Sequence, residues 1–276
     1  MKFKSGCQLR YHLDQPSTLI FGIEVEQSSQ QRILQETLEI DPNIETESQT
    51  VNGNRLLRLA AASGSLSLRY EAIVERNFTP INPDEAIEVP VATLPLDVLP
   101  YLFPSRYCQS DRLMRLATAQ FGELKPGYER VRAIADWIYS NVTYVSGSTN
   151  SQTSAFDTVT ERTGVCRDFA HLGITFCRAL SIPARFVAGY AYQLEPPDFH
   201  ACFEAYLGDR WYWFDPSQLA RAEHFVRIGA GRDAADVSFA NLFGVLHLEE
   251  MTVFSELLND EPESEAIEPS PAFAPN

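Results

Sequence analysis

Three stretches decide the fold: Thr163–Leu180 (TGVCRDFAHLGITFCRAL), Ile182–Tyr192 (IPARFVAGYAY) and Asp198–Ser217 (DFHACFEAYLGDRWYWFDPS). The first has helical spacing. Ala170, Gly173 and Cys177 share the face of Cys166 and are small, so a sheet can approach that side closely, while Phe169, Leu172 and Phe176 form a bulkier apolar stripe beside it. Thr163 is a candidate N-cap and Gly164 relaxes the backbone entering the helix. Cys166 then falls in the first helical turn, where unpaired N–H groups and the helix dipole favour an anion, here a thiolate. The helix is expected to be buried and central.

The second and third stretches read as strands. In Phe199–Leu207, His200, Cys202, Glu204 and Tyr206 point one way and Ala201, Phe203, Ala205 and Leu207 the other. Gly208-Asp209 suits a two-residue turn into Arg210–Asp215. Pairing Leu207 with Arg210 puts Cys202 opposite Asp215 and His200 opposite Ser217, so Asp215 lies diagonally from His200 on one face, at roughly 7–8 Å between backbones. A three-residue turn would put the two on opposite faces. Cys166, His200 and Asp215 supply what a cysteine acyl-transfer enzyme requires: a nucleophile, a base and a group that orients the base. A lone helical cysteine is ordinarily a small buried hydrophobe, which is the reading for Cys177. Cys166 differs because the later His and Asp accompany it.

The segments GVCRDFAHL, PARFVAGY, HACFEAYL and WYWFDPS resemble the transglutaminase-like superfamily, in a bacterial branch whose members are often labelled cysteine proteases. The likeness is specific over about residues 150–240, and the first 80 residues look like the β-rich N-terminal domain of those bacterial proteins. It implies an α+β fold in which an N-terminal antiparallel β-domain precedes a papain-like core. There the helix bearing the cysteine packs on an antiparallel sheet bearing the histidine and aspartate. The family's nucleophile, base and orienting carboxylate carry over onto Cys166, His200 and Asp215. Cys202 departs from the pattern: many relatives have a tryptophan after the His-Ala pair, so the shape of the substrate cleft is where this chain should differ.

Composition bounds the rest. The chain has 276 residues, 45% of them hydrophobic, enough to bury a substantial core. No run approaches the roughly 20 apolar residues of a membrane span, and the N-terminus lacks a signal peptide's apolar run. Five cysteines at irregular spacing, none in CxxC, argue against a disulfide framework and a zinc site, and a reducing cytoplasm is expected. No metal and no cofactor is implied. The net charge of −15 disfavours nucleic acid as a partner. Eight acidic residues and no Lys or Arg follow from Glu249 onward, which leaves 29 acidic against 22 basic groups before it.

Residues 1–78 are expected to form the β-domain, with Asn52-Gly53 a strong hairpin signal and Ser65–Tyr70 alternating cleanly. Six prolines between Thr79 and Pro104 mark a connection packed on the surface through Val98, Leu99, Tyr101, Leu102 and Phe103. The catalytic core spans 105–258, with helices near 111–120 and 126–139, an extended 141–145 and a polar loop 147–153. Residues 241–254 could add a last strand, and 259–276 form an acidic tail expected to be disordered. In an acyl-transfer site a second oxyanion donor must join the nucleophile's own N–H, and Asn150 and Gln152 are the nearest upstream amides. Asp168 is read as structural, Arg167 as a surface salt bridge, and His171 as too near Cys166 along the helix to be its base. Glu204 is expected to pair with an arginine. Residues 228–236 (IGAGRDAAD) resemble a segment common beyond the triad in the bacterial relatives and could line the cleft.

The expected activity is hydrolysis of peptide or amide bonds in a peptide or protein substrate through a thioester. Protein-glutamine transamidation or deamidation is the alternative outcome of the same chemistry. A non-catalytic peptide-binding module on the same fold is the alternative of another class.

Overall fold

The computed structural model describes residues 1–77 and 83–258. The expected acidic tail and the first part of the Pro-rich connection lie outside the described residues. The N-terminal half is a sandwich of two four-stranded antiparallel sheets. One runs in the order β14 (Leu246–Leu257), β1 (Lys2–Leu13), β6 (Gly64–Arg76), β3 (Gln31–Asp41). The other runs β13 (Ala240–Phe243), β2 (Ser17–Phe21), β5 (Asn54–Ala61), β4 (Thr46–Val51). The Asn52-Gly53 turn forms as expected: both residues take positive φ (50° and 84°), and Val51 faces Asn54 across it. On β6, Leu66, Leu68, Tyr70, Ala72 and Val74 alternate inward and pack with Leu9, Tyr11 and Phe21.

The C-terminal residues correct one expectation. Residues 240–257 do not close the core; they return to the N-terminal sandwich, where β13 pairs with β2 and β14 with β1 over nearly its whole length. The physical reason is the long β1, which has two edges. β6 covers one and β14 the other, so β1 itself is left with no unpaired edge.

Residues 83–104 form three single-turn 3-10 segments, Pro83–Glu85, Val91–Thr93 and Leu99–Leu102. They strap the surface: Leu94 and Val98 bury against Tyr206, and Tyr101 meets Trp211 edge-on at 5.1 Å. The Gly208 N–H donates to the Ile87 carbonyl (2.7 Å). Phe103 stays exposed.

The core follows. α1 (Ser110–Phe121) and α2 (Tyr128–Asn141) appear where the apolar spacing places them; α2 starts two residues after Pro126 because Gly127, at φ 111°, caps it. α3 (Ala155–Glu161) was not anticipated. It is too short for a periodic stripe and begins with a capping box: the Ser154 N–H and Oγ–H both donate to Asp157 Oδ2 (2.9 and 2.6 Å). α4 (Cys166–Ala179) lies at the centre, buried on nearly every side from Asp168 onward. It packs on an antiparallel sheet ordered β11 (Arg210–Phe214), β10 (Phe199–Leu207), β9 (Ala184–Ala191), β12 (Phe225–Gly231). Two short strands, β7 (Thr143–Tyr144) and β8 (Thr163–Gly164), pair in parallel beside the start of α4.

The expected close approach of sheet and helix occurs at Gly173. A Cβ there would stand 2.5 Å from the Phe203 ring, which is itself stacked on Phe214 at 5.4 Å. The two halves of the protein share buried polar contacts. Tyr190 Oη–H donates to the Ile23 carbonyl (2.6 Å), and Gln31 holds the backbone of Arg227 through both its amide NH2 and its oxygen (2.8 Å each).

Gly173→Ala forces that stacked ring to move, and overpacking of this kind costs about 1–3 kcal/mol. Urea unfolding should show a lower midpoint at an unchanged slope; an unshifted midpoint would mean that the helix has room to slide on the sheet.

Candidate active site

Cys166 is the first residue of α4, so its backbone N–H has no acceptor within the helix. The cap differs from the expected one. Thr163 is taken up in β8 opposite Thr143, and Val165 stands at the N-cap. Having no side-chain acceptor, Val165 depends on Asp168: its N–H donates to Asp168 Oδ2 (3.0 Å), while the Asp168 N–H donates to the Val165 carbonyl (2.9 Å). The same buried carboxylate accepts Thr149 Oγ1–H (2.8 Å) and the Arg167 guanidinium (2.9 and 3.2 Å). Asp168 is therefore structural, as expected, and Arg167 also donates to the Asn150 carbonyl (2.7 Å), which ties the 147–153 loop to the helix start.

His200 and Asp215 meet as the register argument requires. Leu207 faces Arg210 and Phe203 faces Phe214 across the Gly208-Asp209 turn. His200 Nε2 lies 2.8 Å from Asp215 Oδ2, and both side chains are almost free of solvent. The carboxylate is fully engaged: Oδ1 accepts the Ser217 N–H (2.9 Å) and Oγ–H (2.6 Å), and Oδ2 also accepts the Ala220 N–H (2.9 Å). With Nε2 taken, His200 Nδ1 has no other partner and the ring lies against the Cys166 thiol. Sγ itself is 4.0 Å from the Phe199 carbonyl oxygen and partly exposed. Phe199 stacks on the partly exposed Phe239 at 4.8 Å.

Electrostatics reinforce the geometry. Burial alone would keep His200 neutral, but the Asp215 carboxylate, its hydrogen bond and the neighbouring Cys166 outweigh it and push the imidazole up to about 10. Burial would raise Asp215, yet the charge of His200 and four donors hold it below the usual carboxylate range. His171 shows the opposite case. It is fully buried between Tyr107 and Phe186 and its Nε2 accepts the Ala234 N–H (3.1 Å); burial, with Arg167 and Arg178 nearby, drives it well below the ordinary histidine value and keeps it neutral.

The other sequence candidates separate. Asn150 turns its side-chain oxygen to the Gln152 N–H (2.8 Å), and both residues are exposed in their loop, so neither amide is held towards the thiol. Glu204 is buried between two arginines, with Arg185 at 2.6 Å and Arg227 at 3.0 Å, and their charges hold it ionised despite its burial. Cys177 and Cys202 are fully buried, and burial pushes both thiols up, far from thiolate formation. Residues 228–236 brace the body instead of lining the cleft: Asn54 bonds both the N–H and the carbonyl of Ala230, Asp233 accepts the Tyr107 N–H, and Arg232 gives its carbonyl to Arg178. The residue that sequence reasoning missed is Tyr144. β7 pairs it with Gly164, two residues before Cys166, and its ring lies 5.7 Å from Phe169. A two-residue parallel pair leaves no periodic signal, so nothing in the sequence could have placed it there.

Comparison with known proteins agrees with this architecture. Residues 115–216 match the transglutaminase-like superfamily, and residues 1–97 match the bacterial transglutaminase N-terminal domain. A crystal structure from Cytophaga hutchinsonii, of a protein provisionally named a cysteine protease, is 47% identical, covers 100% of this chain and 97% of its own, and superposes with a TM-score of 0.95. The chain belongs to the transglutaminase-like superfamily. An uncharacterised protein of Mycobacterium leprae is 32% identical over 116 residues, and one of Mycobacterium tuberculosis 33% over 144; the matches cover 39% and 46% of this chain. They span only 42% and 46% of those relatives' lengths. Among the described residues no helix is long and apolar enough to cross a membrane, and no group of three His, Cys, Asp or Glu side chains is placed to hold a metal ion.

The raised His200 value makes a signed prediction. A group that gains proton affinity on folding stabilises fully below its ordinary value and loses that contribution as pH rises through its folded one. The stability advantage of the wild type over Asp215→Asn should therefore shrink between about pH 6.5 and about pH 10. Urea midpoints across that window test it, and a constant gap would show that His200 is neutral in the folded protein at pH 7.

Proposed function

We propose that this protein is a cysteine-dependent hydrolase of peptide or amide bonds, with Cys166 as nucleophile, His200 as base and acid, and Asp215 as the group that orients the imidazole. One observation carries the reading: a half-open cysteine at a helix start meets a histidine whose far nitrogen is held by a fully hydrogen-bonded carboxylate. The provisional name of the Cytophaga relative supports the same assignment.

In this scheme His200 takes the thiol proton and the thiolate attacks the substrate carbonyl carbon. The carbonyl π pair moves to oxygen. As the intermediate collapses, the C–N bond breaks, the departing amine takes the proton from His200, and a thioester on Cys166 remains. Water, deprotonated by His200, then attacks the thioester and releases the acid. If a primary amine attacks in place of water the product is a transamidated chain, and if the leaving group is ammonia from a glutamine the hydrolytic product is deamidated. Such a thiolate works where thiols are kept reduced, so a cytoplasmic setting belongs to the same proposal.

A peptide library incubated with and without a primary amine, read by mass spectrometry, separates the outcomes. Backbone cleavage is the expected result. Ammonia loss or an added amine mass would move the assignment to deamidation or transamidation, and no change of any kind would favour the non-catalytic binding module. Cys166→Ala should abolish turnover in a folded protein, whereas Cys177→Ala should lower stability by about 0.5–3 kcal/mol and leave chemistry intact. The reverse pattern would give the nucleophile's role to Cys177. Asp215→Asn should lower kcat on the order of ten- to a thousandfold, less than the loss of about ten-thousandfold known for the same change in a serine protease, because a thiolate relies less on its base. Full activity in that variant would remove Asp215 from the mechanism.

A further inference from the structure

The attack on a carbonyl creates negative charge on oxygen, and the nucleophile's own N–H at the helix start is one donor for it. Asn150 turns its side-chain oxygen to the Gln152 backbone, and Gln152 is exposed in its loop. Tyr144 is the polar side chain that the fold brings to this spot. The parallel pair of β7 and β8 sets it opposite Gly164, and the flanking bonds Thr143 N–H to Arg162 carbonyl (2.8 Å) and Val145 N–H to Gly164 carbonyl (3.0 Å) fix its backbone. Its ring leans on Phe169, one helical turn from Cys166, and its hydroxyl lies against both the backbone N–H and the thiol of Cys166.

We propose that the Tyr144 hydroxyl is the second oxyanion donor, converging with the Cys166 N–H on the oxygen of the bound carbonyl. This rests on the nucleophile assignment above. In the resting site the phenol stands at the helix start in contact with the thiol. As substrate enters, its oxygen takes the place beside the N–H, and the phenol O–H turns to donate to it. Space exists for that turn, because the other side of Tyr144 borders a groove lined by Tyr139, Thr143, Phe169 and Ser217, and the residue is 43% exposed. The phenol keeps its proton throughout: burial, the negative charge of Cys166 and that of Asp198 push it above its ordinary value, so it remains a donor at any working pH. No bond to this proton is broken in the attack; the O–H only shortens its contact as charge develops.

The same position would also suit a gate, a phenol that merely blocks the oxyanion site until substrate displaces it. The two roles predict opposite signs for Tyr144→Phe, which keeps the ring and removes the donor. Acylation of Cys166 by p-nitrophenyl acetate passes through an oxyanion, whereas its alkylation by iodoacetamide does not. For a donor, acylation should fall by about ten- to a thousandfold, in the range seen when one oxyanion donor is deleted, and alkylation should change by no more than about threefold. A melting curve checks that the variant folds, as expected for an exposed ring edge. Equal acylation in wild type and variant, or faster acylation in the variant, overturns the proposal. A wild-type Cys166 that reacts with neither reagent faster than Cys7 or Cys108 overturns the nucleophile assignment, and this proposal with it.

Discussion

No Cβ fits between Gly173 and the Phe203 ring, and the position of every group in the site follows from that contact. It lets α4 pack directly onto the Phe203 ring of β10. The helix start, with Cys166, is thereby set against the beginning of β10, with His200. Phe203 is held by its stacking on Phe214 in the next strand, one residue before Asp215. One stack of rings thus fixes both the spacing of helix and sheet and the register of the strand that carries the carboxylate. A wider or looser core would leave the same three side chains in the chain and separate them in space.

The buried carboxylates show how burial is reconciled with charge in three different ways. Asp215 is held by a histidine and three donors from the segment that follows it. Glu204 lies between Arg185 and Arg227, and Arg227 in turn reaches Glu26 of the N-terminal half. Asp168 closes the helix start that Val165 cannot cap. Each would be costly if left unpaired in a low-dielectric interior, and each gathers enough donors to be well hydrogen-bonded. The Glu204 cluster also links the sandwich to the sheet that carries His200, so the β-rich half braces that sheet.

Much of this was legible in the sequence because the signals were local. The small face of Ala170, Gly173 and Cys177, the two-residue Gly208-Asp209 turn and the alternation in β10 together place Cys166, His200 and Asp215, and Asn52-Gly53 gives its hairpin. What escaped depends on contacts distant in sequence. The cap of α4 came from Asp168 within the helix, so the threonine that looked suited to the task was free to join β8. α3 was hidden because seven residues are too few for periodicity to show. Tyr144 arrived through a two-residue parallel pair, and the strand expected near residues 241–254 reads in sequence as part of the core because its partner, β1, lies at the other end of the chain.

That last pairing has a temporal side. Phe3 faces Leu257 in the same sheet, so β1 cannot complete its hydrogen bonding until the chain has been made as far as β14. Contacts of such sequence separation form slowly, because the loop between them must be ordered first. The helix and sheet that carry the thiol, made in between, therefore gain the full support of the sandwich only once β14 has been made. Until β14 is in place, the helix start that holds Cys166 would stand on an unfinished base.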